Sequence, residues 1–204
     1  MNSRGKRLWL IDGGYFFNAC RSVARDYQFD YLKLRTKLEE DGSIWRAYYL
    51  NSVPNASMDA VSNDGFHNWL QAAPPRGPKI IVKLYQLKDV PADSAYCEEC
   101  GRKVHLVCPN AERETPREHR ILNKQQKGVD VGIATLALIH RANYDTLMLS
   151  SGDGDFIDMI EYLSESGKRI ELVVFNEAVS TDIQARADHI YWINDFADEI
   201  RRTK

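Results

Sequence analysis

The stretch that decides the fold is residues 8–14, which has the sequence LWLIDGG. Its apolar residues predict a buried strand over 8–11, and the Asp-Gly-Gly that follows predicts a tight turn. Residues 144–155, YDTLMLSSGDGD, have the same arrangement, with a strand over 146–149 before a run of small and acidic residues. Strands that are apolar on both faces are typical of a parallel sheet covered by helices on both sides.

Periodicity outside these two stretches predicts further strands that alternate with helices. The strands are expected over 44–50, 79–87, 170–175 and 189–192. The helices are expected over 15–24, 31–38, 64–73, 129–142, 156–163, 181–187 and 195–201. This alternation predicts an α/β fold with a mostly parallel central sheet between two helical layers.

Composition and charge limit the classes of function. The chain has 204 residues, of which 44% are hydrophobic and 27% charged, which suits one α/β domain with a small insertion. The net charge of −2 does not by itself indicate nucleic-acid binding, so any surface of that kind must be local. No apolar run approaches the roughly 18 residues that a membrane-spanning helix needs. We expect no membrane association and a cytoplasmic location.

Four aspartates are predicted to meet at one edge of the sheet. Asp12 directly follows the first strand, Asp153 and Asp155 follow the strand over 146–149, and Asp130 lies near the start of a helix. The carboxyl ends of parallel strands gather at one edge, where sites form. Carboxylates that cluster without a cation repel one another, whereas Mg²⁺ and Mn²⁺ take oxygen ligands. The pattern therefore predicts a divalent-metal site that could activate water against a phosphate.

Three of these aspartates also have a structural interpretation, whereas Asp130, between Val129 and Val131 on a mostly apolar helix, is expensive unless it faces a cleft. Asp155 directly precedes a predicted helix and could be its N-cap, while Asp12 and Asp153 could be turn residues. A phosphatase that uses Asp12 as a nucleophile would need an Asp-x-Asp motif, but the chain has Asp-Gly-Gly there. The chain also contains no G-x-x-x-x-G-K-[ST] motif, which disfavours nucleotide triphosphate hydrolysis.

Four motifs resemble the NYN domain of the PIN-like nuclease superfamily, and within it the LabA-like branch. They are WLIDGGYFFN (9–18), KGVDVGIA (127–134), YDTLMLSSGDGDF (144–156) and GKRIELVVF (167–175). The resemblance covers nearly the whole chain except about 88–120. It implies a Rossmann-like, PIN-like three-layer sandwich in a single domain over 1–204, with an inserted module at about 88–120.

The resemblance also implies roles for individual residues in a metal-dependent ribonuclease. Asp12, Asp130 and Asp153 would hold Mg²⁺ or Mn²⁺, and Asp155 would be a ligand or orient the attacking water. Three further residues would bind substrate, namely Asn18, Lys127 and Ser151. Asn18 comes later after the first aspartate than is usual in the family, and Thr135 stands where relatives often carry another aspartate. These departures favour the alternative, a non-catalytic RNA-binding or regulatory protein.

The segment over about 88–120 has a different character, since it is polar and contains three of the four cysteines. Cys97-x2-Cys100 followed by Gly101 matches a zinc-knuckle turn. Cys108 would be a third ligand, and the fourth would be His105 or His119. The zinc-ribbon-like module would then hold a structural Zn²⁺. The alternative is a degenerate ribbon with free or oxidised thiols that is stabilised by packing alone.

Residues 102–127 are locally basic and lead directly to Asp130. Within them we expect Arg120, Lys124 and Lys127 to bind the substrate. A basic arm beside an acidic metal site suits single-stranded RNA as the partner, because the arm attracts phosphates to the metal. The alternative is a solvated charged loop. The sequence leaves the oligomeric state open.

Overall fold

Ten strands and six helices are found in the computed structural model, which describes residues 5–53, 65–108 and 119–203. The strands are β1 (Arg7–Asp12), β2 (Ile44–Val53), β3 (Ile81–Gln86), β4 (Lys88–Pro91), β5 (Ser94–Tyr96), β6 (Lys103–His105), β7 (Leu122–Gln125), β8 (Thr146–Ser150), β9 (Arg169–Val174) and β10 (His189–Trp192). The helices are α1 (Gly13–Ala19), α2 (Tyr31–Glu39), α3 (Gly65–Gln71), α4 (Val129–Ile139), α5 (Ile157–Glu165) and α6 (Thr181–Arg186).

Six of the strands form one parallel sheet in the order β10-β9-β8-β1-β2-β3. The chain builds β1, β2 and β3 towards one side and then returns to the other side of β1 with β8. The strand order therefore reverses between β1 and β8, and such a reversal opens a crevice at the carboxyl ends of the two strands. The predicted parallel α/β fold is confirmed.

Helices cover both faces of this sheet. On one face, α4, α5 and α6 pack through residues such as Ile133, Ile160 and Ile183. On the other face, α1, α2 and α3 pack through residues such as Phe16, Leu34 and Leu70. The two separate cores establish the expected three-layer sandwich.

Strand β1 explains why the first apolar run is continuous. Leu8 and Leu10 belong to one core, Trp9 and Ile11 belong to the other, and all four are fully buried. A central strand between two helical layers needs apolar side chains on both faces. The one polar atom that Trp9 buries is satisfied, because its Nε1 donates to Ser150 Oγ at 2.9 Å.

Two predicted helices differ in the structure. The helix predicted over 15–24 begins at Gly13, because Asp12 caps it, and it gives way to a 3₁₀ turn at Cys20–Ser22. The helix predicted over 195–201 is wrong, since only a 3₁₀ turn at Ile193–Phe196 forms there. Backbone bonds to the loop before α2 hold the last segment instead: Asp30 N donates to Ile200 O, and Arg202 N donates to Gln28 O.

Two antiparallel ladders organise the cysteine-bearing segment, for which the sequence predicts no long element. β4 pairs with β7, and β5 pairs with β6. The β4–β7 ladder brings together the two ends of the segment, and β7 leads within four residues into α4. Residues 109–118, which include part of the predicted basic arm, lie outside the described residues. Among the described helices, none is long and apolar enough to cross a membrane.

A buried ion pair lies at the start of β1. Arg7 and Glu171 are both fully buried, and Arg7 Nη1 lies 3.6 Å from Glu171 Oε2. Arg7 Nη2 also donates to the carbonyls of Leu38, at 2.6 Å, and Gly42. On the other side of the pair, Arg169 Nε donates to Glu171 Oε1 at 3.0 Å. The arginine thereby joins β1, the end of α2 and β9.

Removing one member of this pair should destabilise the fold strongly, because it leaves a buried charge without its partner. We expect Arg7→Met to lower the free energy of unfolding by about 3–5 kcal/mol. The double variant Arg7→Met/Glu171→Leu should lose less than the sum of the two single variants. Urea unfolding of the four proteins measures this coupling, and strictly additive losses would contradict it.

Candidate active site

Asp12 lies at the carboxyl end of β1, in the crevice between β1 and β8. It is only 8% exposed. Its Oδ1 accepts hydrogen bonds from the backbone N–H groups of Gly14, at 2.9 Å, and Tyr15, at 3.1 Å, which makes Asp12 the N-cap of α1. Its Oδ2 accepts a long bond from Ser151 Oγ at 3.5 Å. The carboxylate therefore connects α1 to the loop that follows β8.

The loop after β8 is held by a chain of short-range hydrogen bonds. Ser151, which is almost fully buried, accepts at Oγ from Asp153 N at 3.3 Å. Asp153 Oδ1 in turn accepts from Asp155 N at 2.9 Å and caps the 3₁₀ turn at Gly154–Phe156. The capping role predicted for Asp155 is not found: Asp153 caps the 3₁₀ turn, and the N-cap of α5 is Phe156, whose side chain forms no capping bond. Both carboxylates are exposed at this edge.

The glycine between Ser151 and Asp153 is required by close packing. A Cβ on Gly152 would lie 1.8 Å from the carbonyl oxygen of Ala178. Ser180 N also donates to Gly152 O at 2.9 Å. The loop that carries Asp153 is thus fixed against the segment before α6.

Asp130 completes the acidic group from the first turn of α4. Gly128 supplies the left-handed N-cap conformation, with a φ of 92°, that lets α4 begin at this edge. Asp130 is exposed, but partial burial of its carboxylate raises its pKa, and the charges of Asp153 and Asp155 raise it further. The helix is less buried than the sequence predicts, since Val131 is 70% exposed and Ile139 is 63% exposed.

Electrostatics link all four aspartates. Burial raises the pKa of Asp12, the capping bonds from Tyr15 and Gly14 lower it, and the charges of Asp130 and Asp153 raise it. Asp12 and Asp130 are thus each close enough to other carboxylates for their ionisation to be disfavoured. The structure therefore brings together the residues Asp12, Asp130, Asp153 and Asp155 that the sequence singled out.

The oxygen donors of this group fit a hard divalent cation. In the part of the chain that the structure describes, no three histidine, cysteine, aspartate or glutamate side chains are placed as a ready-made metal cage. Mg²⁺ does not require such a cage, because it keeps several waters and binds through one or two carboxylates and substrate phosphate. A cation there would also relieve the repulsion that raises the pKa of Asp12.

Gln126 reaches the same edge, although no motif or spacing in the sequence singles it out. It follows β7 directly, so the β4–β7 ladder delivers it to the site. A Cβ on Gly14 would lie 3.1 Å from Gln126 Oε1 and 3.3 Å from Asp12 Oδ1. The absence of a side chain at Gly14 therefore leaves space for the glutamine amide beside the carboxylate. Only contacts between distant segments reveal this role.

The remaining residues that the sequence predicts to bind substrate are all exposed. Asn18 lies on α1, one turn beyond Gly14. Lys127 directly precedes the N-cap of α4, next to Gln126. Lys124 lies on β7, with its Nζ 3.8 Å from Asp89 Oδ1, and Arg120 lies shortly before β7.

The predicted zinc ligands form two pairs. Cys97 and Cys100 lie in the turn between β5 and β6, where a backbone N–H of Cys100, its thiol, and a backbone N–H of Glu99 lower the pKa of Cys97. His119 Nδ1 lies 3.4 Å from Cys108 Sγ, whereas His105 pairs with Ser94 in the β5–β6 ladder. The described residues do not gather three of these ligands. As placed, they do not fit a four-ligand site, so zinc stays a prediction from the cysteine spacing.

The fold and the acidic edge define a Rossmann-like α/β domain with a carboxylate cluster at its topological switch point. The chain matches the NYN domain family over residues 8–194, and it belongs to that family. The expected resemblance to the NYN domain is therefore confirmed. This family is generally nuclease-like. The LabA-like branch stays a prediction.

Two solved structures are similar to the chain. A protein of unknown function from Vibrio parahaemolyticus is 19% identical, with a TM-score of 0.63 and 99% of both chains covered. A structure described in connection with the mechanism and regulation of Sir2 enzymes is 9% identical, with a TM-score of 0.43 and coverage of 98% of this chain and 91% of that chain. The first structure supports the assignment of the fold alone, and nothing about this chain is inferred from the second. No curated protein matches the chain.

Asp12→Asn should stabilise the protein in the presence of a chelator. Asparagine keeps the oxygen that caps α1 but removes the buried charge. Folding raises the pKa of Asp12, so its ionised form destabilises the folded state above that pKa, and the cost disappears where both states are protonated. We expect Asp12→Asn to unfold a few degrees higher than wild type at neutral pH.

The advantage of the variant should shrink as the pH falls through the Asp12 pKa. Mn²⁺ should raise the thermal midpoint of wild type but much less that of Asp12→Asn, because a ligand is lost. Thermal unfolding over a pH series, with chelator or Mn²⁺, measures both effects. A less stable Asp12→Asn protein at neutral pH would contradict the electrostatic account.

Proposed function

We propose that this NYN domain protein is a metal-dependent ribonuclease that cuts phosphodiester bonds at the Asp12–Asp153 crevice. One observation carries the proposal: four aspartates from three chain segments lie near the switch point, where burial raises the pKa of Asp12 and Asp130 and the charges of neighbouring aspartates raise it further. Such a cluster costs stability unless it serves a ligand, and a hard cation is the ligand that fits its oxygens.

Asp12, Asp130 and Asp153 would hold the Mg²⁺ or Mn²⁺ ion, directly or through its bound waters. When bound, the cation supplies a water of lowered pKa and stabilises the charge that develops on the phosphate. Asp155, exposed beside Asp153, orients the attacking water. Ser151 keeps its neighbours in place through its bonds to Asp12 and Asp153.

Polar groups on the insertion side would hold the substrate. Gln126 lies beside Asp12 Oδ1, and its amide N–H can donate to a phosphate oxygen. Lys127, Lys124 and Arg120 supply positive charge along the path from the insertion to α4. Asn18 lies exposed on α1, one turn beyond Gly14.

The test uses labelled single-stranded RNA with Mn²⁺ or Mg²⁺. We expect the wild type to cleave it and a chelator to stop cleavage. Asp153→Asn should reduce the rate at least about 100-fold, because the metal contributes several kcal/mol of transition-state stabilisation. Asp158→Asn is the matched control, since Asp158 is exposed on α5 and outside the cluster. Equal cleavage by wild type and Asp153→Asn would overturn the assignment.

Gln126 provides a second test that the sequence alone would not suggest. Gln126→Ala should lower kcat/KM about tenfold, since a hydrogen bond to a charged group contributes roughly 1.5–3 kcal/mol. Gln125→Ala changes the preceding, exposed residue of β7 and serves as the control. If both variants cleave RNA as fast as wild type does, Gln126 does not contact the substrate.

A second candidate function is RNA binding or regulation without cleavage. Thr135, exposed on α4, supports it, because it supplies no carboxylate where family members often have one. RNA binding that persists with a chelator, with no product at any metal concentration, would favour this candidate.

We propose further that residues 88–120 are a module inserted into a single NYN domain, and that single-stranded RNA is the partner. The β4–β7 ladder supports the first point because it closes the segment at its base. The LabA-like branch, the cytoplasmic location and a structural Zn²⁺ in the insertion remain predictions.

A further inference from the structure

A cavity of about 410 Å³ opens beside the acidic site, on the face of the sheet that α1, α2 and α3 cover. Its volume falls in the range of roughly 300–1,000 Å³ that is typical of small-molecule sites. Its walls include Phe17 of α1, Tyr31 of α2, Phe66 of α3 and the loop residue Phe29. None of the sequence motifs pointed to it.

The cavity shares a wall with the acidic site. Gly13, which follows Asp12, and Tyr49, near the carboxyl end of β2, both line it. The two residues are in close contact, since a Cβ on Gly13 would lie 2.4 Å from Tyr49 Cζ. Burial raises the pKa of Tyr49 to about 12, and the charge of Asp12 contributes. A ligand in the cavity would therefore lie next to the carboxylates.

Aromatic rings contribute accessible surface to the cavity. Phe17 is 65% exposed, and the Arg21 guanidinium lies 4.9 Å from its ring centroid. Phe29 and Phe66 are half-buried. Tyr31 holds both rings, with centroids at 4.7 Å from Phe29 and 5.9 Å from Phe66. These rings are fixed by their neighbours, yet each leaves surface on which a flat ligand can stack.

A second cavity of about 310 Å³ continues the first. The two share Phe29, Tyr31, Phe66 and Arg202, and the second adds Trp69 of α3. Two adjoining cavities with aromatic walls form a groove that runs away from Asp12. We call this groove the aromatic cleft.

The aromatic cleft carries positive charge at its rim. The described residues that line the first cavity include three arginines, Arg21, Arg25 and Arg202, but only one acidic residue, Asp26. The second cavity adds Asp30, whose carboxylate is used as the N-cap of α2. Within the described residues, neither Arg25 nor Arg202 forms a salt bridge, although the whole chain has a net charge of −2. This local excess suits a negatively charged strand.

We infer that the aromatic cleft binds the bases of single-stranded RNA next to the phosphate held at the acidic site. Stacking on aromatic rings combined with arginines that follow the backbone is the usual way in which proteins bind single strands. In a duplex the bases are already paired and stacked, so they cannot enter such a cleft. The inference rests on the proposed function, because the cleft would position the strand that Asp12 and Asp153 act on.

Binding is tested without cleavage, in an Asp153→Asn background with chelator. The probe is a short fluorescein-labelled single-stranded oligoribonucleotide, measured by anisotropy and compared with a duplex of the same sequence. Phe17→Ala and Arg202→Ala should each weaken single-strand binding about tenfold, since stacking contributes roughly 1–3 kcal/mol per base. Both side chains are exposed, and thermal unfolding checks that the variants are folded.

A matched pair on the opposite face serves as the control. Arg141 stacks on Tyr162, with its guanidinium 5.3 Å from the ring centroid, and Tyr162 is 46% exposed. Tyr162→Ala and Arg141→Ala should leave the affinity unchanged. A ribose-phosphate strand of the same length without bases should bind the parent and Phe17→Ala equally, because it has nothing to stack.

The inference is overturned if the cleft variants bind the single strand as tightly as the parent, or if the parent prefers the duplex. A cleft that takes an apolar peptide instead would give this result. The outcome is distinct from that of the proposed function. If wild type cleaves RNA and Phe17→Ala does not change the affinity, only the RNA-binding role of the aromatic cleft is overturned. If binding depends on the bases but no cleavage occurs, only the ribonuclease activity is overturned.

Discussion

One carboxylate, that of Asp12, fixes the relation between the sheet, helix α1 and the acidic site. Its Oδ1 accepts the N–H groups that start α1, and its Oδ2 accepts the Ser151 hydroxyl from the loop after β8. Because β1 and β8 flank the reversal of strand order, these bonds span the crevice. Asp153 is attached to this arrangement through Ser151, whereas Asp130 is placed separately by α4.

The same carboxylate is energetically expensive. Burial and the neighbouring acids raise its pKa, and only the capping bonds oppose them. The protein therefore keeps a destabilising charge cluster at the carboxyl edge. Stability comes from elsewhere, chiefly from the two apolar cores on either side of the sheet. Because the carboxylates lie at the carboxyl edge of the sheet, their mutual repulsion does not weaken the packing of the apolar cores.

Helix α1 stands between two surfaces with different chemistry. On one side lie the carboxylates, with Gln126 brought in by the β4–β7 ladder. On the other side lies the aromatic cleft, whose wall at Tyr49 touches Gly13. The glycines at 13 and 14 make this possible, because side chains there would collide with the tyrosine ring and crowd the glutamine amide. A phosphate on one side and a base on the other would match the two halves of a nucleotide.

The sequence by itself determined the parallel α/β fold and the edge that carries the site. The apolar runs before Asp12 and before Ser151-Gly152-Asp153 predict buried strands that end in acidic turns. The hydrophobic pattern that indicates such a strand lies within a few consecutive residues. Only the tertiary structure decided that Asp153 caps the 3₁₀ turn after β8 and that Gln126 and Asp12 both lie close to Gly14. It also decided that residues 195–201 do not form an α-helix. It also formed the cleft from Gly13, Phe66 and Arg202. These features depend on contacts between segments far apart in the chain, which no local periodicity records.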